Sequence, residues 1–424
     1  MAVYIRNQDF ILSKHERIRL IKDEMHRFHE NKNVLFLAET NKKIGNHFIE
    51  PNLLQANASC VVTDLTGELY KRYAPFMRKK GFHIKYLDFN HPEESDHYNP
   101  LEYLHTEYEV NRFVNYIFKC TISEVEENIS FVNAEKMLLN ACILYLVKYV
   151  PTSAKTTLFQ LIDMIATGVN PSNEKRVTSQ LDTFFEIVPQ DSIAGNYYQK
   201  FKTYSISTRV YAAASCCTRI ERLANEKSAP LLQGDDEMEL ERIGDHKTVL
   251  FLVPPAKKME YSPLITIFFS QMFERIISNS ERKLAYGGSK RFKYPVNCFI
   301  INYSDSNEQL FSLPKSIISF MSVCHSYNFN LLLCSNVFSH IKEEFEADWR
   351  EACISFGTMV LLHIGKSEDE FLRGLGITQD FMSAFLDDRC CIYRRMQKPV
   401  FDKVFKIEKH PAYEFVNDTK ESNN

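Results

Sequence analysis

Two short segments hold the polar side chains that invite chemistry. The first is Ala38-Glu-Thr-Asn-Lys-Lys-Ile-Gly45, which follows the apolar run Asn33–Leu37 and carries Lys42 and Lys43. The second follows another apolar run, Val296–Ile301. It reads Asn302-Tyr303-Ser304, with Asp305 and Glu308 just beyond. Lysines past a buried strand can meet phosphate oxygens, and nearby carboxylates can hold magnesium or polarise a water. Lys42, Lys43, Asp305 and Glu308 together would make a nucleotide-hydrolysing site of unusual layout. His26 and His29 stand i, i+3 on one expected helix, but no carboxylate or cysteine joins them. A packing or surface role is the simpler reading, and no metal is expected. No Ser-His-Asp, Cys-His or paired-carboxylate set stands out.

The chain has 51 basic and 54 acidic residues, a net charge of −3. No global positive field is available for nucleic acid, so any such contact must be a local patch. The basic clusters are Lys71–Arg72, Arg78-Lys79-Lys80 and the stretch Arg282–Arg291, which holds Lys283, Lys290 and Gly287-Gly288. Phe292 and Tyr294 follow that stretch, and aromatics beside positive charge suit a single strand. An ordinary solvated loop is the competing reading. The eleven cysteines lie in apolar surroundings (Cys60, Cys142, Cys298, Cys334) or in pairs (Cys216–Cys217, Cys390–Cys391), and none forms Cys-x-x-Cys. Reduced, mostly buried thiols are expected.

The elements that must position these residues are legible in the apolar periodicity. At 424 residues, 45% hydrophobic and 25% charged, the chain has the composition of a globular protein, with two or three domains or one large one with an insertion. Residues 13–29 place Ile18, Ile21, Met25 and Phe28 on one side, which predicts a helix and makes 1–30 an N-terminal helical segment. Strands are expected at Asn33–Leu37, Ser59–Asp64 and Phe82–Phe89, with helices near Phe48–Leu54 and over Gly67–Lys80 between them. This alternation is the signature of a parallel sheet with crossovers. From Leu104 to Leu232 helical periodicity dominates, at Val110–Cys120, Ala134–Tyr149, Leu158–Ala166 and Arg209–Ala224. Strands return at Lys247–Val253, Val296–Ile301, Asn330–Cys334 and Met359–Ile364, with helices at Leu264–Ser278 and Leu313–His325 and a closing hairpin at Cys390–Arg394 and Phe401–Ile407.

The expected organisation is an α/β domain over 31–103 and 233–416, an all-α insertion over 104–232, and a frayed tail over 417–424. The most apolar stretch, Met137–Val150, is interrupted by Asn140 and Lys148, so no window reaches the ~18 apolar residues of a membrane span. The N-terminus lacks the plan of a signal peptide, and a cytosolic protein is expected. In such a core, ligands bind beyond the carboxyl ends of the strands. The loops after Leu37 and after Ile301 are therefore the ones that matter.

Several strings recur in order and carry a resemblance. They are Pro51-Asn52-Leu53, Thr63-Asp64-Leu65-Thr66-Gly67-Glu68, Lys79-Lys80-Gly81-Phe82 and Ser95-Asp96-His97-Tyr98-Asn99-Pro100-Leu101. Further on come Ala134–Ala141, Asp236–Thr248, Lys398-Pro-Val-Phe-Asp-Lys403 and His410-Pro411. From about Asn31 to its end the chain resembles the conjugation coupling proteins, the TraG/TraD-like subunits of type IV secretion systems. The resemblance implies a RecA-like, P-loop-NTPase-type parallel sheet with an all-α insertion. It also implies a ring of subunits at the inner face of a membrane, coupled to a relaxase–DNA complex, and ATP hydrolysis with magnesium. Most members carry N-terminal membrane helices, for which this sequence shows no candidate.

The family's chemistry is missing where the resemblance puts it. Counted back from Pro51, the phosphate-loop glycines become Ala38 and Lys43, the lysine becomes Ile44 and the hydroxyl residue becomes Gly45. Glu39 would add a carboxylate where phosphates belong. A shift of register that used Lys42 or Lys43 would still lack glycine where a left-handed backbone is needed. The family's acidic strand end, Asp then Glu, is Asn302 and Tyr303 here, and a Gln that ends the next strand in the family aligns with Ser335. Charges that have been removed cannot stabilise a transition state.

Asp64 with Gly67 and Glu68 could line the rim of a nucleotide cleft or a subunit interface, or could simply start a helix. Arg209, beside Thr208, matches the place where the insertion rejoins the core. It could reach a neighbouring subunit or a DNA phosphate, or form an ordinary ion pair. The expectation is a pseudo-ATPase that binds neither ATP nor magnesium and acts as a non-catalytic subunit or adaptor. Its partners would be a coupling-protein paralogue or other secretion components, with a relaxosome protein or single-stranded DNA as further candidates, and contact with the membrane only indirect. A rearranged ATPase and a nucleotide-independent DNA-binding protein are the alternatives.

Overall fold

The apolar runs Val34–Leu37, Ser59–Thr63, Thr248–Val253, Val296–Ile301 and Phe329–Ser335 become strands buried at every position, as expected where a parallel sheet is covered on both faces. The computed structural model describes residues 9–20, 31–121, 129–151, 156–168, 180–259, 261–363, 369–374, 388–395 and 397–416. In chain order the first elements are β1 (Asp9–Ile11), β2 (Arg17–Arg19), β3 (Val34–Leu37), α1 (Asn41–Ile44), a π-helical stretch Gly45–Ile49, α2 (Glu50–Leu54), β4 (Ser59–Thr63), α3 (Glu68–Lys79) and β5 (His83–Asp88). The helices α4 (Glu107–Thr121), α5 (Ile129–Lys148), α6 (Leu158–Gly168), α7 (Gln180–Phe185), α8 (Ile193–Lys202), α9 (Ile206–Glu221) and α10 (Ala229–Leu232) follow. Next are β6 (Thr248–Val253), α11 (Pro263–Ala285), β7 (Val296–Ile301), α12 (Ile317–Val323), β8 (Phe329–Ser335), α13 (Ser339–Phe345) and α14 (Trp349–Ile354). The last are β9 (Thr358–Leu361), α15 (Asp369–Gly374), β10 (Arg389–Arg394) and β11 (Val400–Lys403).

The chain divides into two compact units. The first comprises residues 1–90, 239–258 and 272–424; the second comprises 91–238 and 259–271. In the first, nine strands form one sheet in the order β11-β10-β9-β3-β8-β7-β4-β6-β5. From β9 to β5 all neighbours are parallel, and β10 and β11 add an antiparallel edge. This is the parallel core that the strand–helix alternation predicts. One face is packed by Phe48 of the π-helical stretch, stacked on Phe36 at 4.3 Å and edge-on to Phe299 at 5.7 Å.

The N-terminal segment is corrected. Over residues 13–20 there is no helix; β1 and β2 pair as an antiparallel hairpin. Distant side chains satisfy its backbone, which local periodicity cannot foresee. Asn52 accepts from the Ile11 N–H at 2.7 Å and donates to the Ile11 carbonyl at 2.9 Å. Asp402 accepts from Ser13 and from the His15 N–H. Residues 21–29, with His26 and His29, and the tail 417–424 lie outside the described residues.

The second unit is helical. α5 packs with α8 and α9, and its Glu135 pairs with Arg219 of α9 at 2.7 Å, both almost fully buried. Residues Ser130–Lys148 are long and apolar enough to cross a membrane by length and composition, which corrects the reading that no window qualifies. Yet 56% of this stretch is buried inside the fold, as in the core helix of a helical domain. All eleven cysteines are free, and nine are buried.

Candidate functional site

The carboxyl ends of β3, β7 and β8 bring together the two segments singled out at the start. From Leu37 the chain turns into helix within three residues. The Ala38 N–H bonds the Ser335 carbonyl at 3.2 Å, which ties the turn to the end of β8. Thr40 is extended, and its hydroxyl accepts from the Lys43 N–H at 3.2 Å, an ordinary N-cap. Helical geometry then runs from Asn41 to Leu54 through the π-helical stretch. Gly45, the one glycine of the segment, has φ −54° and lies inside that run. No residue from Ala38 to Gly45 is left-handed, so successive amides do not form the inward-facing nest of a phosphate loop.

The helix start is already occupied. The Asn41 N–H donates to Oδ1 of Asp305 at 2.7 Å, and Nδ2 of Asn336 donates to the same oxygen at 3.0 Å. Asn41 also donates through Nδ2 to the Tyr303 carbonyl at 3.1 Å. An intramolecular carboxylate thus sits where an anion would meet the helix amides. Lys43 pairs with Glu39, which also meets His363 at 3.2 Å. The hydrogen bond from Lys43 is the main cause of a Glu39 carboxyl held below the usual range. Ile44 is fully buried and Lys42 is exposed.

Beyond β7 the chain folds back on itself: the Ser304 N–H bonds the Glu308 carbonyl at 2.9 Å, and the Leu310 N–H bonds the Asn302 carbonyl at 2.9 Å. Asn302, 3% exposed, donates to the Phe311 carbonyl and to Glu344. Glu344 also accepts from Gln309 at 2.8 Å and from the Leu313 N–H at 2.7 Å. Tyr303 is buried and stacks on His340 with centroids 3.7 Å apart and planes at 6°. Burial, helped by Glu344 and Glu343, raises the Tyr303 phenol, which stays protonated. Burial lowers His340 against the opposing pull of Glu343, which favours a neutral ring. Ser335 shares a hydrogen bond with His340 Nδ1 at 3.0 Å.

Of the residues expected here, Ala38, Lys43, Ile44, Gly45, Asn302, Tyr303, Asp305 and Ser335 converge on these strand ends. Asn41, Asn336, His340 and Glu344 belong to the same network and went unnoticed in the sequence. Their spacing carries no motif, and only the ends of β3, β7 and β8 join them.

The remaining candidates lie elsewhere. Asp64, 1% exposed, directly follows β4 and turns onto the start of α3, accepting from the Tyr70 N–H at 2.8 Å. Burial raises its carboxyl, while backbone N–H groups of Tyr70, Leu69, Thr66 and Gly67 pull it back down. Gly67 precedes α3 at φ +74°, a left-handed conformation that suits glycine. Arg209 is on α9, in the second unit.

In the basic stretch, Arg282 bonds Asn279 at 3.0 Å and Lys283 pairs with Asp245. Lys290 lies over Tyr327, and Arg291 donates to the His325 carbonyl and to Asn328. Phe292 is 3% exposed. This corrects the picture of an aromatic flanking the loop and open to stacking: the ring is spent in the core.

The family model described as type IV secretory system conjugative DNA transfer matches residues 14–287. No curated protein matches the chain. Among solved structures, the plasmid coupling protein TrwB in complex with ADP and Mg2+ is similar at TM-score 0.61 and 10% identity, covering 95% of this chain and 91% of that one. The same protein with a non-hydrolysable ATP analogue gives 0.61 at 11% identity, covering 95% and 90%. VirB4 of Thermoanaerobacter pseudethanolicus gives 0.55 at 11% identity, covering 95% and 97%. At these identities the likeness is one of fold, the RecA-like nucleotide-binding fold with a helical insertion.

Proposed function

This chain belongs to the type IV secretory system conjugative DNA transfer family, and on that premise we propose that it works there as a non-catalytic subunit. It keeps the architecture of the coupling ATPases but does not run their reaction. The observation that carries this reading is the Asp305 carboxylate seated on the Asn41 N–H at 2.7 Å. A triphosphate brought to the end of β3 would meet a negative charge and an amide already in use.

The rest of the cleft agrees. Asn302 stands where a magnesium-supporting Asp is needed, and Tyr303 lies flat on His340 where a water-polarising Glu is needed. The residues present do not fit a magnesium–triphosphate group. In this reading Ala38, Lys43, Ile44, Gly45, Asn302 and Tyr303 are degenerate positions. Residues 31–103 and 233–416 are the nucleotide-fold domain, and 104–232 are its insertion. The protein acts from the cytoplasm, peripheral to the membrane through its partners: an intact coupling protein or another secretion component, with relaxosome proteins or single-stranded DNA as cargo contacts.

Isothermal titration with ATP and magnesium, paired with a phosphate-release assay, tests the reading. Neither saturable binding at micromolar nucleotide nor turnover is expected. Magnesium-dependent binding with turnover, abolished when Lys42, Lys43, Asp305 and Glu308 are all replaced, would instead establish a rearranged ATPase.

A further inference from the structure

The strand-end cleft is filled, but the first unit holds two other hollows, on the flank of β9. One is a cavity of about 480 Å³ walled by Trp349, Phe371 and Tyr393 and rimmed by Lys342, Arg350 and Arg395. The other, about 530 Å³, shares Ile354, Phe356 and Arg395 with it and continues past the amino end of β9, where it adds Arg19 and Arg394. Thr358 opens β9 and faces Arg394 across the ladder. The groove is thus at the opposite end of the strands from Asp305, which lies beyond the carboxyl end of β7.

The chemistry of the lining is one-sided. Among the described residues, no acid lines either hollow. Trp349 is half-buried, held edge-on by Phe338 at 5.7 Å. Arg350 lies 4.6 Å and Lys342 5.3 Å from its ring centroid. Lys342, Arg350 and Arg395 are all exposed, and no carboxylate pairs with them among the described residues. Two neighbouring cations have structural duties instead: Arg17 donates to the Ser13, Glu16 and Lys14 carbonyls, and Arg394 pairs with Glu16.

An aromatic wall beside cations that no carboxylate neutralises, in a hollow of ligand size, suits a planar ring that carries negative charge. A purely apolar ligand would leave the cations unused, and a simple anion would leave the aromatic wall unused. We propose that this is a nucleotide-unit site, with a base against Trp349 and its phosphate on Arg350 and Arg395. The groove beyond Arg395 is where a following phosphate would run. The same chemistry is offered by a free nucleotide and by a nucleotide within a single strand. The site goes beyond the proposed role of the strand-end cleft and does not depend on it.

Trp349 is the chain's one tryptophan, so its fluorescence reports on this hollow alone. The full chain is titrated at low salt with AMP and, separately, with 5′-phosphorylated hexathymidylate. Saturable quenching by at least one probe is expected. Quenching by AMP identifies a free nucleotide as sufficient, and quenching by the hexamer alone identifies the strand as the source. Arg395→Glu, an exposed position whose unaltered fold is checked by circular dichroism, should weaken binding about tenfold or more, since it reverses a phosphate-facing charge. Trp349→Ala, followed by anisotropy of a labelled hexamer, should weaken hexamer binding about five- to a hundredfold where the hexamer is the ligand. Trp349→Phe should recover part of that loss. The proposal is overturned if neither AMP nor the hexamer quenches at up to about 1 mM. Quenching unchanged in Arg395→Glu, or matched by a polyglutamate peptide, overturns it equally.

Discussion

Replacing Asn302 by Asp, the residue the family's chemistry would need there, should damage this protein rather than repair it. Asn302 is 3% exposed and donates through Nδ2 to Glu344 and to the Phe311 carbonyl. Aspartate removes that donor and sets a second carboxylate against Glu344. Glu344 cannot swing clear without abandoning Gln309 at 2.8 Å and the Leu313 N–H at 2.7 Å. Two unit charges about 4 Å apart repel by about 4 kcal/mol at an effective dielectric of ~20. Glu344 is only half-buried, which reduces this to about 2 kcal/mol. The lost hydrogen bond to a charged group adds about 1.5–3 kcal/mol.

Proton sharing by the new pair limits the total, so a loss of about 3 kcal/mol is expected, or roughly a hundredfold in the folding equilibrium. Like-charge repulsion raises the folded-state pKa of the pair above its unfolded value. The penalty is therefore fully present above the folded pKa and shrinks as pH falls through it. The assay is urea unfolding of Asn302→Asp and Asn302→Ala at about pH 7.5 and about pH 5. Asn302→Ala removes the donor without adding charge. If Asn302→Asp unfolds within about 0.5 kcal/mol of Asn302→Ala at the higher pH, or if its deficit is the same at both, the account of Glu344 as resident carboxylate is wrong.

Burial, with Arg17 adding to it, lowers His410 to about 4, while its ring bonds Gln55 at 3.1 Å and receives the Ala412 N–H. Since the folded pKa is below the unfolded one, its contribution of about 2–4 kcal/mol is present above pH ~6.5 and lost as pH falls towards about 4. His410→Gln should flatten the acid limb of a urea-midpoint against pH plot, and an unchanged slope would refute this. Asp402 behaves alike at lower pH: burial pushes it up, but hydrogen bonds from Ser13 and His15 win and hold it at about 2. Ser13→Ala should thus raise the pH of acid unfolding below ~4, read by circular dichroism. Arg219→Ala removes the cation that pairs with Glu135, which is 2% exposed, so a loss of about 3–5 kcal/mol is expected in thermal unfolding, largely recovered in the double variant Arg219→Met, Glu135→Leu. Asn52→Ala removes both bonds to Ile11 and should free the β1–β2 hairpin, seen as faster tryptic cleavage at Arg17 and Arg19. Cleavage at the unaltered rate would show that the hairpin is held by packing.

The sequence by itself determined the α/β core, because strands buried on both faces must be written as unbroken apolar runs and their crossovers as amphipathic helices. It also placed Ala38–Gly45 and Asn302–Tyr303 beyond the carboxyl ends of strands of that sheet, with Ala38, Lys43, Ile44, Gly45, Asn302 and Tyr303 at the positions that the family resemblance assigns to phosphate and magnesium. Some of its recurring strings prove to be scaffolding. Asn52 holds the hairpin, Asp64 caps α3, and Tyr98 donates to Gln271 at 2.6 Å. Tertiary structure alone decided three things. It made residues 9–19 a hairpin, because Asn52 and Asp402 satisfy the Ile11 and His15 N–H groups from 41 and 387 positions away. It tied Lys283 to Asp245 and Arg291 to the His325 carbonyl and Asn328, and packed Phe292 into the core. It also brought Asp305, His340 and Glu344 to the ends of β3, β7 and β8. Hydrogen bonds and ring stacks of that kind join residues whose spacing obeys no period, so no pattern in a linear chain announces them.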